Sequence, residues 1–213
     1  MNCKHISFIV ALLFCTTGLF AQLGIKMGLN MANEVRSFNR ADVSAGFKSD
    51  NLTGYQIGLV YQAMPKKSGL GFEIAALISQ KGSTFSDSTG IVGIIKQGYK
   101  EMNYVEVPLN LRYRLSLGVM GVYAFGGVYG GYSYSGKVVD EKTNTTQKET
   151  FPTTDDRIDY GYNFGGGLEI FRKIQLGATW SRGLKDTSKT NIGLPVSTKA
   201  TNKVMSFNLV YLF

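Results

Sequence analysis

Lys26, Glu73, Glu106, Arg112 and Glu169 carry the groups of this 213-residue chain best suited to act together in ionic or proton-transfer chemistry, with Arg114 close by in sequence. Each stands in a run where apolar and polar residues alternate, and each occupies the polar parity. Carboxylates held against ammonium or guanidinium groups can form a general acid/base pair or line an ion path. The same set is also what stability alone requires of charges shut in a narrow interior, because an unpaired buried charge is costly. The second account asks for less, and it predicts a plug of salt bridges that barely conducts.

Other chemistry is thinner. The only histidine, His5, and both cysteines, Cys3 and Cys15, lie in the first fifteen residues. GYSYSGKV, from Gly131 to Val138, nearly spells a phosphate-binding loop, but Val138 stands where a magnesium-binding hydroxyl belongs, and no helix pattern follows. Asp155, Asp156 and Asp159 offer oxygen ligands without the ordered Asp and Gly spacing of a calcium loop, so they read as a solvated loop. No catalytic residue, metal site, cofactor or nucleic-acid contact is predicted, and the chain is not expected to be an enzyme.

The elements that would position these residues are strands. Twenty-six Gly, 13 Phe and 12 Tyr against 4 Pro suit Gly-punctuated sheets better than helices. Period-2 alternation appears in eight segments: Leu23 to Met31, Gly54 to Ala63, Gly69 to Lys81, Asn103 to Arg114, Val119 to Tyr134, Tyr160 to Phe171, Ile174 to Leu184 and Lys203 to Phe213. Each reaches about the nine to eleven residues a tilted strand needs to cross a bilayer. Leu115 to Gly136 lacks charge for long enough to span as a helix, but its glycines and tyrosines favour a strand, with Val122 and Ala124 competing against Tyr123 and Phe125 for one face.

Long and short connections alternate strictly, placing tight turns at one end and four long loops at the other, as in outer-membrane barrels. Bulky apolar residues such as Ile74, Val107 and Leu209 hold one parity, while the other is rich in glycine, alanine and charge. A soluble ligand-binding barrel would turn the bulky set inward. Glycine and alanine do little on a solvated face but fit a narrow lumen, so the bulky set is expected to face lipid, where only a closed barrel satisfies every backbone group. The fold predicted is all-β: an eight-stranded antiparallel up-and-down transmembrane barrel with short periplasmic turns and four long outer loops.

The first residues have a basic start at Lys4, an apolar stretch from Ile6 to Phe20 and a small residue at Ala21, the layout of a signal peptide. Residues 1–21 are expected to be removed, leaving a barrel domain of residues 22–213 without thiol or imidazole. Lipidation at Cys15 is disfavoured by Phe14 before it. Removing Lys4 takes one charge from the formal +8 and leaves +7.

The stretches LGIKMGLNMANEV, FEIAALISQKGSTF, NYVEVPLNLRYRL with GVYAFGGVYGGY, YGYNFGGGLEIFRKIQLGATWSRGL and VMSFNLVYLF resemble the porin-like outer-membrane β-barrel proteins of Bacteroidota, related to the PorT-type barrels. The resemblance covers nearly all of the mature chain and implies architecture and cell outer-membrane location. PorT itself is associated with protein secretion. Phe213, preceded by Tyr211 and Leu209, resembles the terminal signature by which the barrel-assembly machinery recognises such chains. On that surface Lys185, Lys189 and Lys199 of the last long loop are candidate contacts to lipopolysaccharide phosphates. The role expected is structural or interactive, with a narrow pore and a secretion accessory as the rivals. No residue pattern points to a particular protein partner.

Overall fold

The computed structural model describes residues 19–37, 47–65, 68–87, 97–141, 144–148, 151, 153–186 and 199–213. Most of the predicted signal peptide lies outside them. The strands are β1 (Leu19–Ser37), β2 (Phe47–Pro65), β3 (Gly69–Asp87), β4 (Gln97–Leu117), β5 (Met120–Asp140), β6 (Thr145–Lys148), β7 (Ile158–Ile170), β8 (Ile174–Gly183) and β9 (Lys199–Leu212), with a 3-10 turn at Asp155–Arg157 before β7.

Every pairing is antiparallel, and eight strands close a ring in the order β4-β3-β2-β1-β9-β8-β7-β5, sealed by β4 against β5. Closure of the first strand on the last runs from Gly24↔Leu212 to Ser37↔Lys199, and the Phe213 amide adds a bond to the Leu23 carbonyl at 2.8 Å. A closed ring leaves no unpaired edge, which is what makes a sheet tolerable in hydrocarbon. The segment Leu115 to Gly136 forms the β4–β5 hairpin, turning at Gly118 with φ of +80°, a conformation glycine adopts without strain.

Several strands outrun the alternating segments. β1 to β5 are 19 to 21 residues long, about twice a bilayer crossing. Most of their extra residues lie at the end with the long connections, where residues 47–51, 83–87, 97–101 and 137–140 pair across four neighbouring strands and β6 adds to β5. Sequence reading placed β6 in a loop. Its residues, TTQK, are all exposed, so no burial alternation marked them.

Two register shifts change parity locally: one in β2 between Asn51 and Gln56, and one opposite Asn103 and Tyr104 that passes over Tyr134 of β5. The second is the bulge that the ambiguous parity of β5 suggests, and bulges of this kind re-aim side chains. Below it the ambiguity resolves with Val122 and Ala124 outward and Tyr123 and Phe125 inward.

The wall is turned inside out relative to a soluble domain. Leu29, Ile57, Leu109 and Phe164 are exposed, whereas Arg112, Arg114, Glu73 and Gln62 are among the most buried side chains. Exposed Tyr113, Tyr211, Phe171 and Phe213 lie toward the short turns, and exposed Tyr55, Tyr132, Tyr160, Tyr162 and Trp180 toward the long connections. Aromatic girdles bounding an apolar band are the signature of a lipid-facing barrel wall.

β1 begins at Leu19, ahead of the predicted mature end at Gln22. Cleavage after Ala21 would remove only the pairs Leu19↔Pro65, Phe20↔Met64 and Ala21↔Ala63.

Candidate functional site

Inward positions bring the polar parity of eight strands to one axis, and the lumen is where any chemistry would have to occur. Near the short turns Glu73 is the hub. It accepts hydrogen bonds from Arg112 Nη1 at 2.7 Å, Gln62 Nε2 at 2.7 Å and Asn110 Nδ2 at 3.3 Å, and Lys26 Nζ stands 3.5 Å away. Gln62 and Gln175 exchange two bonds of 3.0 Å across the barrel, and Gln175 donates on to Glu169 at 2.8 Å. Glu169 in turn holds Arg114 Nη1 at 3.1 Å, while Arg114 Nη2 donates to the Pro65 carbonyl. The chain of bonds therefore crosses the whole interior, joining β1, β2, β3, β4, β7 and β8.

A second cluster sits nearer the long connections. Lys81 is ion-paired with Glu106 and stands 3.5 Å from Asp159. Its ammonium lies over the rings of Tyr129 at 4.6 Å and Tyr104 at 5.2 Å. Asp159 also accepts from Asn202 Nδ2 at 2.9 Å and Tyr129 Oη at 3.3 Å. Above it Lys100 pairs with Glu34 at 3.6 Å.

All five predicted lumen residues are buried and ion-paired; Lys26, Glu73, Arg112 and Glu169 share the first network, whereas Glu106 belongs to the second cluster with Lys81. Parity reasoning did not single out Lys81 or Asp159. Lys81 follows Glu73 at even spacing along β3 and was legible; Asp159 was assigned to a solvated loop, yet it is the second residue of β7 and 1% exposed. Its even spacing to Gly161 and Asn163 was the available signal. Its former companions do lie outside the wall: Asp155 binds Lys185 and Asp156 accepts from Thr153. Among the described residues no group of three His, Cys, Asp or Glu stands together to hold a metal.

The interior also contains rings, which the expectation of small inward residues did not foresee. Tyr123, Phe125 and Tyr129 of β5 point inward and lie across Gly167, Gly165 and Gly161 of β7. A methyl group added at Gly167 would stand 2.7 Å from Tyr123 Oη, and one at Gly165 2.7 Å from the edge of Phe125. The Arg112 guanidinium rests 3.5 Å from the centre of Tyr123, a cation–π contact that strengthens where water is excluded. Opposite, Val60, Ala75, Leu77, Val210 and Leu212 form an apolar cluster within the barrel. Between these groups remains a cavity of about 30 Å³, lined in part by Lys26, Glu106, Asn110 and Asn163. A space of that size is enough to hold a water molecule.

The remaining predicted residues fall outside the lumen. Phe213, Tyr211 and Leu209 face outward, with the first two rings in edge contact at 5.8 Å. Lys185 Nζ lies 2.5 Å from Asp155 Oδ2, so its charge is already partnered. Lys199 pairs with Ser37 in the β1–β9 ladder, and Lys189 lies outside the described residues. GYSYSGKV runs within β5 with no helix after it, so it forms no phosphate loop.

A family model for an outer membrane protein beta-barrel domain matches residues 16–189. No curated protein matches the chain. Among solved structures, the chain is similar to OprG of Pseudomonas aeruginosa (13% identity, 92% of this chain and 97% of that one, TM-score 0.48). It is similar also to Neisserial surface protein A (9%, 91% and 99%, 0.47) and to Ail of Yersinia pestis (11%, 91% and 99%, 0.45).

Proposed function

The chain belongs to the outer membrane protein beta-barrel domain family, and from that membership we propose a structural or interactive role: a filled, rigid cylinder that presents its long outer connections. The observation that carries this reading is the bonded network from Lys26 to Arg114, which crosses the interior and sets each of its charges against an opposite one, while Arg112 Nε and Nη2 and Asn110 Oδ1 stay buried without a hydrogen-bond partner among the described residues. Breaking a path through it would expose several buried charges at once, each costing several kcal/mol. The strands that continue past the apolar band, with β6 on their flank, add a paired platform on the side of the long connections. The reading is non-enzymatic: among the described residues Glu34, Glu73, Glu106, Asp159 and Glu169 of the lumen each stand within ion-pair distance of a lysine or arginine.

Purified barrel in planar bilayers is expected to give no steady single-channel current. Large stable conductance would replace this proposal with the pore. Spin labels at Val107 and Ile74, both exposed on the wall, are expected to report a lipid environment, and water contact at both would overturn the orientation.

Resemblance to PorT-type barrels supports the narrower assignment to Bacteroidota barrels, and with it an accessory place in secretion or surface assembly. Crosslinking in intact cells should then capture components of such machinery. Export by the signal peptide and recognition of Phe213 by the assembly machinery belong to the same proposal. So does lipid contact by the last long connection, although Lys185 is engaged there by Asp155.

A further inference from the structure

Two cations stand side by side on the outer wall where no acid of the described residues pairs with them. Arg182 of β8 and Lys203 of β9 are register partners, and Arg182 is also the partner of Tyr162 on β7. Lys203 is exposed, Arg182 is half-buried, and neither is ion-paired with a described residue. Like charges directly opposite on neighbouring strands repel. Another cross-strand pair of cations, Lys137↔Lys148, has Glu101 on Lys137 at 3.2 Å; Arg182 and Lys203 have no such carboxylate among the described residues, so the pair can take an anion from outside.

Directly below, the ladder continues as Trp180↔Met205, Ala178↔Phe207 and Leu176↔Leu209. Trp180 stacks on Phe164 of β7, ring centres 6.1 Å apart and 11° from parallel. An indole just beneath a charged row marks the border between headgroups and acyl chains. Beneath it opens a groove of about 880 Å³ lined by Leu176, Phe207, Leu209, Met27, Leu29 and Ile57, among others, with Gly28 and Gly177 at its floor. The small Ala178 between Trp180 and Leu176 leaves the way into it open.

The dimensions agree. From Arg182 to Leu176 is six residues of strand, about 20 Å at about 3.3 Å each. At a tilt near 40° that projects to about 15 Å, half of the roughly 30 Å hydrocarbon core. A head held at the cationic pair thus puts its chain into the groove within a single leaflet.

We propose that Arg182 and Lys203, with Trp180 and the groove below them, form a binding site for a phosphorylated, acylated lipid of the outer leaflet. The guanidinium and ammonium hold the phosphate by charge-assisted hydrogen bonds, Tyr162 adds a hydroxyl at the same height, and one acyl chain lies along Phe207 and Leu209. The site rests on the outer-membrane orientation proposed above.

The test uses the whole folded barrel in detergent, incubated with diphosphorylated lipid A and followed by native mass spectrometry. Wild type is expected to retain the lipid. Arg182→Gln with Lys203→Gln should lower retention at least about tenfold, the scale of one or two lost charge-assisted contacts. Lipid A stripped of phosphate should be retained as poorly by wild type, and Leu209→Trp, which fills the groove, should weaken retention of the intact lipid. Lys173→Gln, at the short-turn end, serves as the charge control and should change nothing. Unchanged retention by the double variant, or equal retention of the dephosphorylated lipid, overturns the site; heat-modified gel migration confirms that each variant is folded. If wall labels at Val107 and Ile74 still report lipid in that event, the lipid site has failed and the membrane reading stands.

Discussion

Replacing Glu73 with alanine is expected to destabilise the barrel by about 3–5 kcal/mol, the usual consequence of removing one partner from a buried charge pair. The size follows from what is left behind. Arg112 and Lys26, both almost wholly buried, depend on Glu73 for their ionic partner. Arg112 would retain the face of Tyr123, and Lys26 only a ring at 5.9 Å. Gln62 and Asn110 would each lose an acceptor as well. Urea unfolding of barrel refolded into lipid vesicles gives the measurement. Arg112→Met alone and together with Glu73→Ala completes a cycle, with a coupling expected between about 0.5 and 3 kcal/mol. A Glu73→Ala variant within about 0.5 kcal/mol of wild type, the scatter of neutral surface changes, would show that the network is not closed as described.

Gly167→Val is expected to be comparably damaging, by about 3 kcal/mol or more, at the upper end of overpacking costs. A side chain there meets the Leu176 carbonyl and the Gly177 backbone on the next strand as well as Tyr123 Oη. Backbone in a closed ladder cannot step aside, and the ring is fixed by Arg112 above it. Gly130→Ala supplies the contrast on the preceding strand, since a methyl group there meets nothing within 4 Å. That change should stay within about 0.5 kcal/mol. Equal losses at both positions would mean that backbone freedom, rather than room for the ring, is why Gly167 is glycine.

Much of the fold was legible because alternation is a local code. Met27 and Leu29 against Lys26 and Asn30 fix the two faces of β1 without reference to any other strand, and eight such segments with alternating connections leave few arrangements besides a closed barrel. The code fails where residue type stops following burial. Gln97 to Met102 alternate in burial, but the inward Lys100 is a charge paired with Glu34 and the outward positions are polar as well, while Thr145 to Lys148 are exposed throughout, so no apolar alternation marks either segment. It also fails at Asp159, whose short distance in sequence from Asp155 and Asp156 makes it look like part of their loop.

The candidate site was legible by residue type and parity but not by partner. Lys26, Glu73, Glu106, Arg112 and Glu169 follow from the sequence as inward charges. That Glu106 meets Lys81 rather than Arg112, that Gln62 reaches Gln175 across the axis, and that Tyr123 turns inward over Gly167 depend on how far each strand is shifted against the next. Those shifts accumulate around the ring, are altered by the bulges at β2 and Tyr134, and must add up to one fixed stagger when β1 closes on β9. Outside β5, alternation alone assigned the residues of each strand to a lipid face or an axial face, because side-chain direction follows from position within a strand between bulges. Which of them touch was decided by closure of the whole ring, a condition that no single segment contains.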